Sequence, residues 1–278
     1  MQKLALIGLG ASGLFALKEL AGADVEVHIF DVGPPYDKRY ACPIDQGKLE
    51  VCPPKACSYC APGQSAGSWN DFKVILSASP VIGGRLYDLI GENELQKRLD
   101  MVRATILTHA PCEIPVVKPN SDDLEWIKKK ATLAGMTYHY QELLHCGSDN
   151  APAINTSILN EINAKGNNLN FHWDAKVLSV SRRSEKFAVR YDRYRKPGEE
   201  KEEVFDYCIV SVGRGGAHWL TQQEFYKALD IYPGQVDIGI RVETSCYFTE
   251  EVDKRFYEPK LYYKSRHSGD VVRNFCSN

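Results

Sequence analysis

The 278-residue chain lacks an excess of charge of either sign: 34 Lys and Arg stand against 36 Asp and Glu, a formal net charge of -2. That balance gives no footing for nucleic acid or an anionic membrane surface, so partners must be read from local sites. It also lacks any apolar run of 18 residues, which leaves no candidate transmembrane helix. The opening MQKLALIGLG has no charged, apolar and cleavage regions in the order of a secretory signal, because glycines interrupt its apolar run at once. The chain is therefore expected in the cytoplasm. Against these absences stand 44% hydrophobic residues, enough for a sizeable core, and nine cysteines. In a reducing compartment that many cysteines point to metal or redox chemistry more than to a disulfide framework.

The most informative stretch runs from Lys3 to Asp31. Leu4 to Ile7 is a short apolar run suited to a buried parallel strand, and it passes straight into Gly8-Leu9-Gly10-Ala11-Ser12-Gly13. In such a turn Gly8 allows the sharp exit from the strand and Gly10 lets a pyrophosphate approach without meeting a Cβ. Gly13 lets the next helix pack close. A helix through Ala21, closed by Gly22, and a second strand from Val25 to Phe30 follow, ending on Asp31. That carboxylate lies 31 − 8 = 23 residues after the first glycine, near the spacing of roughly 20 that suits an acid on a ribose diol. Strand, glycine turn, helix, strand and terminal acid together predict a dinucleotide-binding unit.

From Gly33 to Gly67 the composition turns to Pro, Gly and Cys with no periodicity, a long loop of the kind that is usually functional. It holds Cys42, Cys52, Cys57 and Cys60. The pair Cys57 and Cys60 has the two-residue spacer of a soft-metal chelate, which Cys52 and Cys42 would complete around zinc. The spacing of Cys52, Cys57 and Cys60 also matches the first three ligands of a plant-type two-iron cluster. A redox dithiol beside a flavin, or four reduced thiols with no ligand, are the other readings.

Further along, Ser68 to Ala110 reads as mainly helical, Leu124 to Leu133 as a helix closed by Gly135, and Met136 to Leu144 as one strand. Ala153 to Ala164 is an expected helix, and Leu169 to Trp173 and Lys176 to Ser181 are expected strands. Lys186 to Tyr194 and Glu202 to Phe205 should form a hairpin around RKPGEEK. A buried strand from Tyr207 runs into Gly213, a helix is expected from Gly215 to Leu229, and a strand from Val236 to Val242.

Several motifs together carry a resemblance. They are Cys42-Pro43-Ile44, the Cys52/Cys57/Cys60 cluster, Ala66 to Lys73, His145-Cys146-Gly147-Ser148-Asp149, Val212 to Trp219, Val236 to Glu243 and Val272 to Cys276. The set resembles the two-domain FAD-dependent oxidoreductases built like glutathione reductase and para-hydroxybenzoate hydroxylase. More narrowly, it resembles bacterial FAD-dependent dehydrogenases.

The resemblance implies an α/β fold: a Rossmann-like FAD-binding domain of the glutathione-reductase type, with a parallel sheet plus a three-stranded β-meander, and a discontinuous substrate-side domain. The FAD domain would span 1–72 and 149–216, the other 73–148 and 217–278. Gly8, Gly10, Ala11, Ser12 and Gly13 would hold the FAD diphosphate, and Asp31 the adenosine ribose. Val177 would offer its backbone to adenine, and Gly213 would let a strand end approach the cofactor. Arg39, Gly67, Asp71 and Lys73 would complete the cofactor contacts. Two positions depart from the family pattern: Gln64-Ser65 stand in a usually glycine-rich stretch, and Phe72 replaces a usual glycine.

Family members also continue beyond the Arg273 to Cys276 motif, so this chain is expected to be catalytically incomplete alone, finished by a missing segment or a partner chain. The reaction would be hydride transfer through flavin, with a small-molecule substrate or NAD(P)H as electron donor. His145, Arg214, His218 and Arg241 are candidates for catalysis only by placement. Two rivals remain at this point. One is a metal-assisted NAD dehydrogenase using the same turn, and the other is a non-catalytic cofactor- or metal-binding subunit.

Overall fold

A computed structural model describes residues 1–35, 47–48, 50, 72–166, 168–231 and 238–274. In chain order its first elements are β1 (Gln2–Ile7), α1 (Ala11–Glu19), β2 (Val25–Asp31), β3 (Lys73–Ile75), α2 (Pro80–His109), β4 (Val116–Val117) and α3 (Ser121–Leu133). Next come β5 (Met136–His139), β6 (Leu143–His145), α4 (Gly147–Ala164), β7 (Asn168–Trp173), β8 (Ala175–Arg183) and β9 (Lys186–Arg193). The last are β10 (Lys201–Phe205), β11 (Tyr207–Val210), α5 (Ala217–Thr221), α6 (Glu250–Asp253), β12 (Lys260–Lys264) and β13 (Val271–Arg273). The protein is mixed α/β and divides into two compact units, residues 1–72 with 147–234 and residues 73–146 with 235–278.

The first unit is built on a four-stranded sheet of order β11-β1-β2-β7, in which every pairing is parallel. Strands buried on both faces need apolar residues in succession; Leu4 to Ile7 supply them in β1, and Val27, Ile29 and Phe30 do so around the buried His28 in β2. One face meets a second sheet, antiparallel and of order β10-β9-β8. There Ala5, Ile7 and Phe30 pack with Val177, Val180, Val189, Tyr191 and Phe205. The alternation of a strand turns Leu4, Leu6, Val27 and Ile29 the other way, toward α1 and α4, which Lys18 and Glu161 link at 3.5 Å. The first unit therefore stacks helices, a parallel sheet and an antiparallel sheet in three layers.

In the second unit, two small antiparallel sheets have the orders β13-β12-β5 and β3-β6-β4. α3 starts at an Asn120 cap, whose side chain accepts from the Asp123 amide at 2.8 Å, and it packs Ile127 and Ala131 against Tyr138 and Phe256. No described helix is long and apolar enough to cross a membrane.

Four expected elements differ. The segment expected to be mainly helical contains β3, because residues 73–75 pair antiparallel with 143–145, and the helix starts only at Pro80, a residue suited to a first helical turn. The single strand expected from Met136 to Leu144 is two strands in different sheets. Between them the buried Gln141 donates to the Glu258 carbonyl at 2.8 Å and the Glu142 amide to Ser77 at 2.8 Å, so the chain crosses from one sheet to the other. The helix expected from Gly215 to Leu229 is broken after Thr221. Gln223, almost fully buried, accepts from the Val180 amide at 3.0 Å and donates to the Trp219 carbonyl at 2.9 Å. Of the strand expected over 236–242, residues 238–242 are irregular, and Ile238 is 96% exposed.

Candidate functional site: the glycine turn

The turn after β1 is tied down from three sides. The Gly8 amide donates to the Phe30 carbonyl at 2.8 Å, which joins it to the end of β2. Ser211, just beyond β11, donates its hydroxyl to the Gly8 carbonyl at 2.6 Å. The Leu9 amide donates to Asp31 Oδ2 at 2.7 Å, while Asp31 Oδ1 accepts from the Gly33 amide at 2.7 Å. Gly8 adopts φ +91°, and a Cβ there would lie 2.7 Å from the Ser211 carbonyl oxygen. A Cβ on Gly13 would lie 2.1 Å from the Gly8 carbonyl oxygen. Neither position can carry a side chain without moving backbone.

Gly10 is different. Its φ of -75° and ψ of -169° suit any residue, so its lack of a side chain serves space and not conformation. It is the N-cap of α1, yet no side chain caps the helix, and no acid occupies the first turn. Gly10, Ala11 and Ser12 reach solvent. An uncapped helix start presents backbone N–H groups and the positive end of the helix dipole, which suits a phosphate. The start also lies at the carboxyl end of a parallel strand, where open α/β sheets bind ligands. Residues Gly8 to Gly13 thus fit a diphosphate group on their own geometry.

Of the other expected cofactor residues, Asp31 ends β2, and its oxygens hold the Leu9 amide of the turn and the Gly33 amide beyond β2. Val177 lies in β8, beside a bulge before Ser179, with its side chain in the core. Gly213 follows β11 at φ +62°, near the same sheet edge as Gly8. Lys73 lies in the second unit, where its ammonium meets the buried Glu258 carboxylate at 2.6 Å. Arg39, Gly67, Asp71 and the four loop cysteines Cys42, Cys52, Cys57 and Cys60 fall outside the described residues. Among the cysteines described, burial pushes the Cys146 thiol up to about 11 and the Cys208 thiol up to about 12, so both stay protonated near neutral pH.

The four catalytic candidates fall two in each unit. His145 stacks on Tyr257 in the second unit, ring centroids 4.7 Å apart. Arg214 and His218 are exposed in the first unit, and Arg241 pairs with Glu243 at 3.3 Å on an exposed segment of the second.

Sequence reasoning missed two features. Ser211 is one; nothing in the local sequence marks it as the brace of a turn 203 residues away. The other is a polar cluster between the two sheets of the first unit, formed by Glu26 and His28 of β2, Asn170 and His172 of β7, Tyr191 of β9 and Glu203 of β10. The period of two puts Glu26, His28 and Phe30 on one face of β2, and the register sets Asn170 and His172 beside His28 and Phe30. The His28 hydrogen bond holds the Glu26 carboxyl below its usual range, and burial pulls His172 down from the ordinary histidine value.

No protein-family model and no curated protein matches this chain. Solved structures similar to it include an anhydrotetracycline hydroxylase from Streptomyces rimosus, at 12% identity over 77% of this chain and 32% of that one, with a TM-score of 0.39. A glycine oxidase from Geobacillus kaustophilus is 13% identical over 78% of this chain and 58% of its own, with a TM-score of 0.40. The protein CtdE, solved in complex with FAD, is 13% identical over 77% and 38%, with a TM-score of 0.35. The chain thus spans from about a third to 58% of the length of these structures. Likeness this distant carries no argument about activity, which rests on the turn itself.

Proposed function

We propose that the chain is an FAD-dependent oxidoreductase whose first unit is an FAD-binding domain of the glutathione-reductase type. The observation that carries the reading is the turn from Gly8 to Gly13. Two of its glycines have no room for a side chain, the third opens an uncapped helix start to solvent, and all three lie at the carboxyl edge of a parallel sheet. The antiparallel sheet of β8, β9 and β10 on the face away from α1 supports FAD over NAD, since the resemblance implies a three-stranded meander in an FAD-binding domain.

Gly8, Gly10 and the amides of Ala11, Ser12 and Gly13 would hold the diphosphate. Asp31, by fixing Leu9 and Gly33, would keep those amides aimed. As the resemblance implies, Asp31 would also accept from a ribose hydroxyl. When bound, FAD supplies hydride transfer through its ring, and the protein positions it and excludes water. The second unit would carry the substrate side, with a small molecule or NAD(P)H as the reductant.

The test is Gly10→Val. A branched side chain there leaves the backbone conformation allowed but fills the space a phosphate needs, so bound flavin should fall to a trace while the circular dichroism spectrum is unchanged. A folded variant that retains stoichiometric flavin would remove the claim.

A further inference from the structure

The polar cluster between the two sheets of the first unit has a geometry that its apolar neighbours do not explain. His28 is 6% exposed, and its Nε2 stands 2.8 Å from Glu26 Oε1. That bond fixes the ring: Nε2 carries the proton, and in the neutral imidazole Nδ1 is left with a bare lone pair. Facing that lone pair are two further basic atoms, His172 Nε2 at 3.0 Å and Glu203 Oε2 at 3.4 Å. The three atoms lie within 4.8 Å of one another. The other Glu203 oxygen accepts from the Tyr191 hydroxyl at 2.5 Å, which aims Oε2 back at the histidines. Asn170 donates to Glu26 Oε1 at 3.1 Å and steadies the carboxylate behind His28.

We propose that His28 Nδ1, His172 Nε2 and Glu203 Oε2 bind one divalent transition-metal cation of the zinc class. Two nitrogens at bonding distance from a tetrahedral zinc lie about 3.3–3.4 Å apart; the two separations from His28 are within a few tenths of an ångström of that, and His172 Nε2 and Glu203 Oε2, within 4.8 Å of each other, would draw together on the ion. Two imidazoles and a carboxylate form a borderline donor set that suits zinc and its neighbours over magnesium or calcium. The partners behind the ligands have the form expected of a metal site, with a carboxylate on the far nitrogen of one histidine and a hydroxyl on the far oxygen of the carboxylate. The Glu203 side chain is 34% exposed, so the fourth position opens toward solvent and takes water. The ion ties β2 and β7 of the parallel sheet to β10 of the antiparallel one. The site shares no residue with the glycine turn or with the loop cysteines.

The experiment titrates the full chain with Zn2+ and measures bound equivalents by elemental analysis and the zinc-dependent rise in Tm. It compares the native chain with Glu203→Gln, His172→Gln and Glu26→Gln. None of the variants touches the loop cysteines, so the difference in bound zinc counts this site alone. The native chain should bind one equivalent more than Glu203→Gln or His172→Gln and gain more Tm with zinc than either. Glu26→Gln, a positioning change, should keep the equivalent with affinity weakened by about 10–100-fold. Cobalt at this site should give no thiolate charge-transfer absorption. The Glu203 side chain is partly exposed, so its isosteric variant stays informative if His172→Gln does not fold. Equal zinc binding and equal Tm gain in the native chain and Glu203→Gln would overturn the proposal and leave the cluster as a network held by shared protons.

Discussion

The central strands of the first unit's parallel sheet and the last two strands of the second unit are buried very differently. In β2 of the first unit every residue but Glu26 is buried, and β1 is buried from Leu4 to Ile7. In the second unit β13 is exposed throughout, and the only buried residue of β12 is Lys260, paired with Glu258 at 3.7 Å. A parallel sheet covered on both faces holds its strand ends fixed, and a backbone turn grown from such an end can present amides to a ligand without first being ordered by it. The sheets of the second unit are covered in places, where α3 packs Ile127 and Ala131 against Tyr138 of β5 and where β6 buries Leu143 and Leu144, while β12 and β13 stay largely open.

The largest expected effect lies in the first unit. Phe205 is fully buried and meets Phe30 edge-on at 5.9 Å between centroids. Phe205→Ala should cost about 3–5 kcal/mol in denaturant unfolding, whereas Val272→Ala on exposed β13 should stay within about 0.5 kcal/mol. Similar losses at the two sites would break the comparison.

A smaller effect sharpens it within the second unit. Asn120 caps α3 through the Asp123 amide, so Asn120→Ala should cost about 1 kcal/mol, measured as a shift in the denaturation midpoint. An unchanged midpoint would mean that packing of Ile127 and Ala131 alone fixes the helix start.

The smallest is a pH effect in the antiparallel sheet of the first unit. The Gly198, Arg193 and Glu199 amides, with Gly198 foremost, hold the Asp192 carboxyl below its usual range. A lowered folded value means the unfolded chain binds the proton more readily. The stabilisation is therefore complete above the ordinary carboxylate value of about 4 and is lost as pH falls through the folded one. Thermal melts should show Tm declining below about pH 4, with a shallower decline in Asp192→Asn. The same slope in both would assign the acid sensitivity elsewhere.

What could be read from sequence followed the range of the forces involved. The glycine turn was legible because strand, turn, helix and acid all fall within 31 residues, and because each glycine answers a local constraint. The three strands β8 to β10 were legible from alternation and from the Pro-Gly turn between the last two. The brace by Ser211 was not, since its partner is distant in the chain, and neither was the break at Gln223, whose side chain competes for a backbone carbonyl. The polar cluster was hidden because histidines and glutamates scattered over three strands meet only once the two sheets stack. His145 and Arg241 fall in the second unit and Arg214 and His218 in the first, a division that motif order along the chain does not show.

The most direct measurement is the flavin content and FAD affinity of the purified full chain beside its Gly10→Val variant. If the turn holds the FAD diphosphate, the native chain should show flavin absorption bands and bind FAD one to one. ADP should displace FAD where riboflavin does not, because the diphosphate end carries the contact, and Gly10→Val should bind neither FAD nor ADP while remaining folded. A native chain that takes up no FAD, or a folded variant that binds it as well as the native chain, would contradict the account.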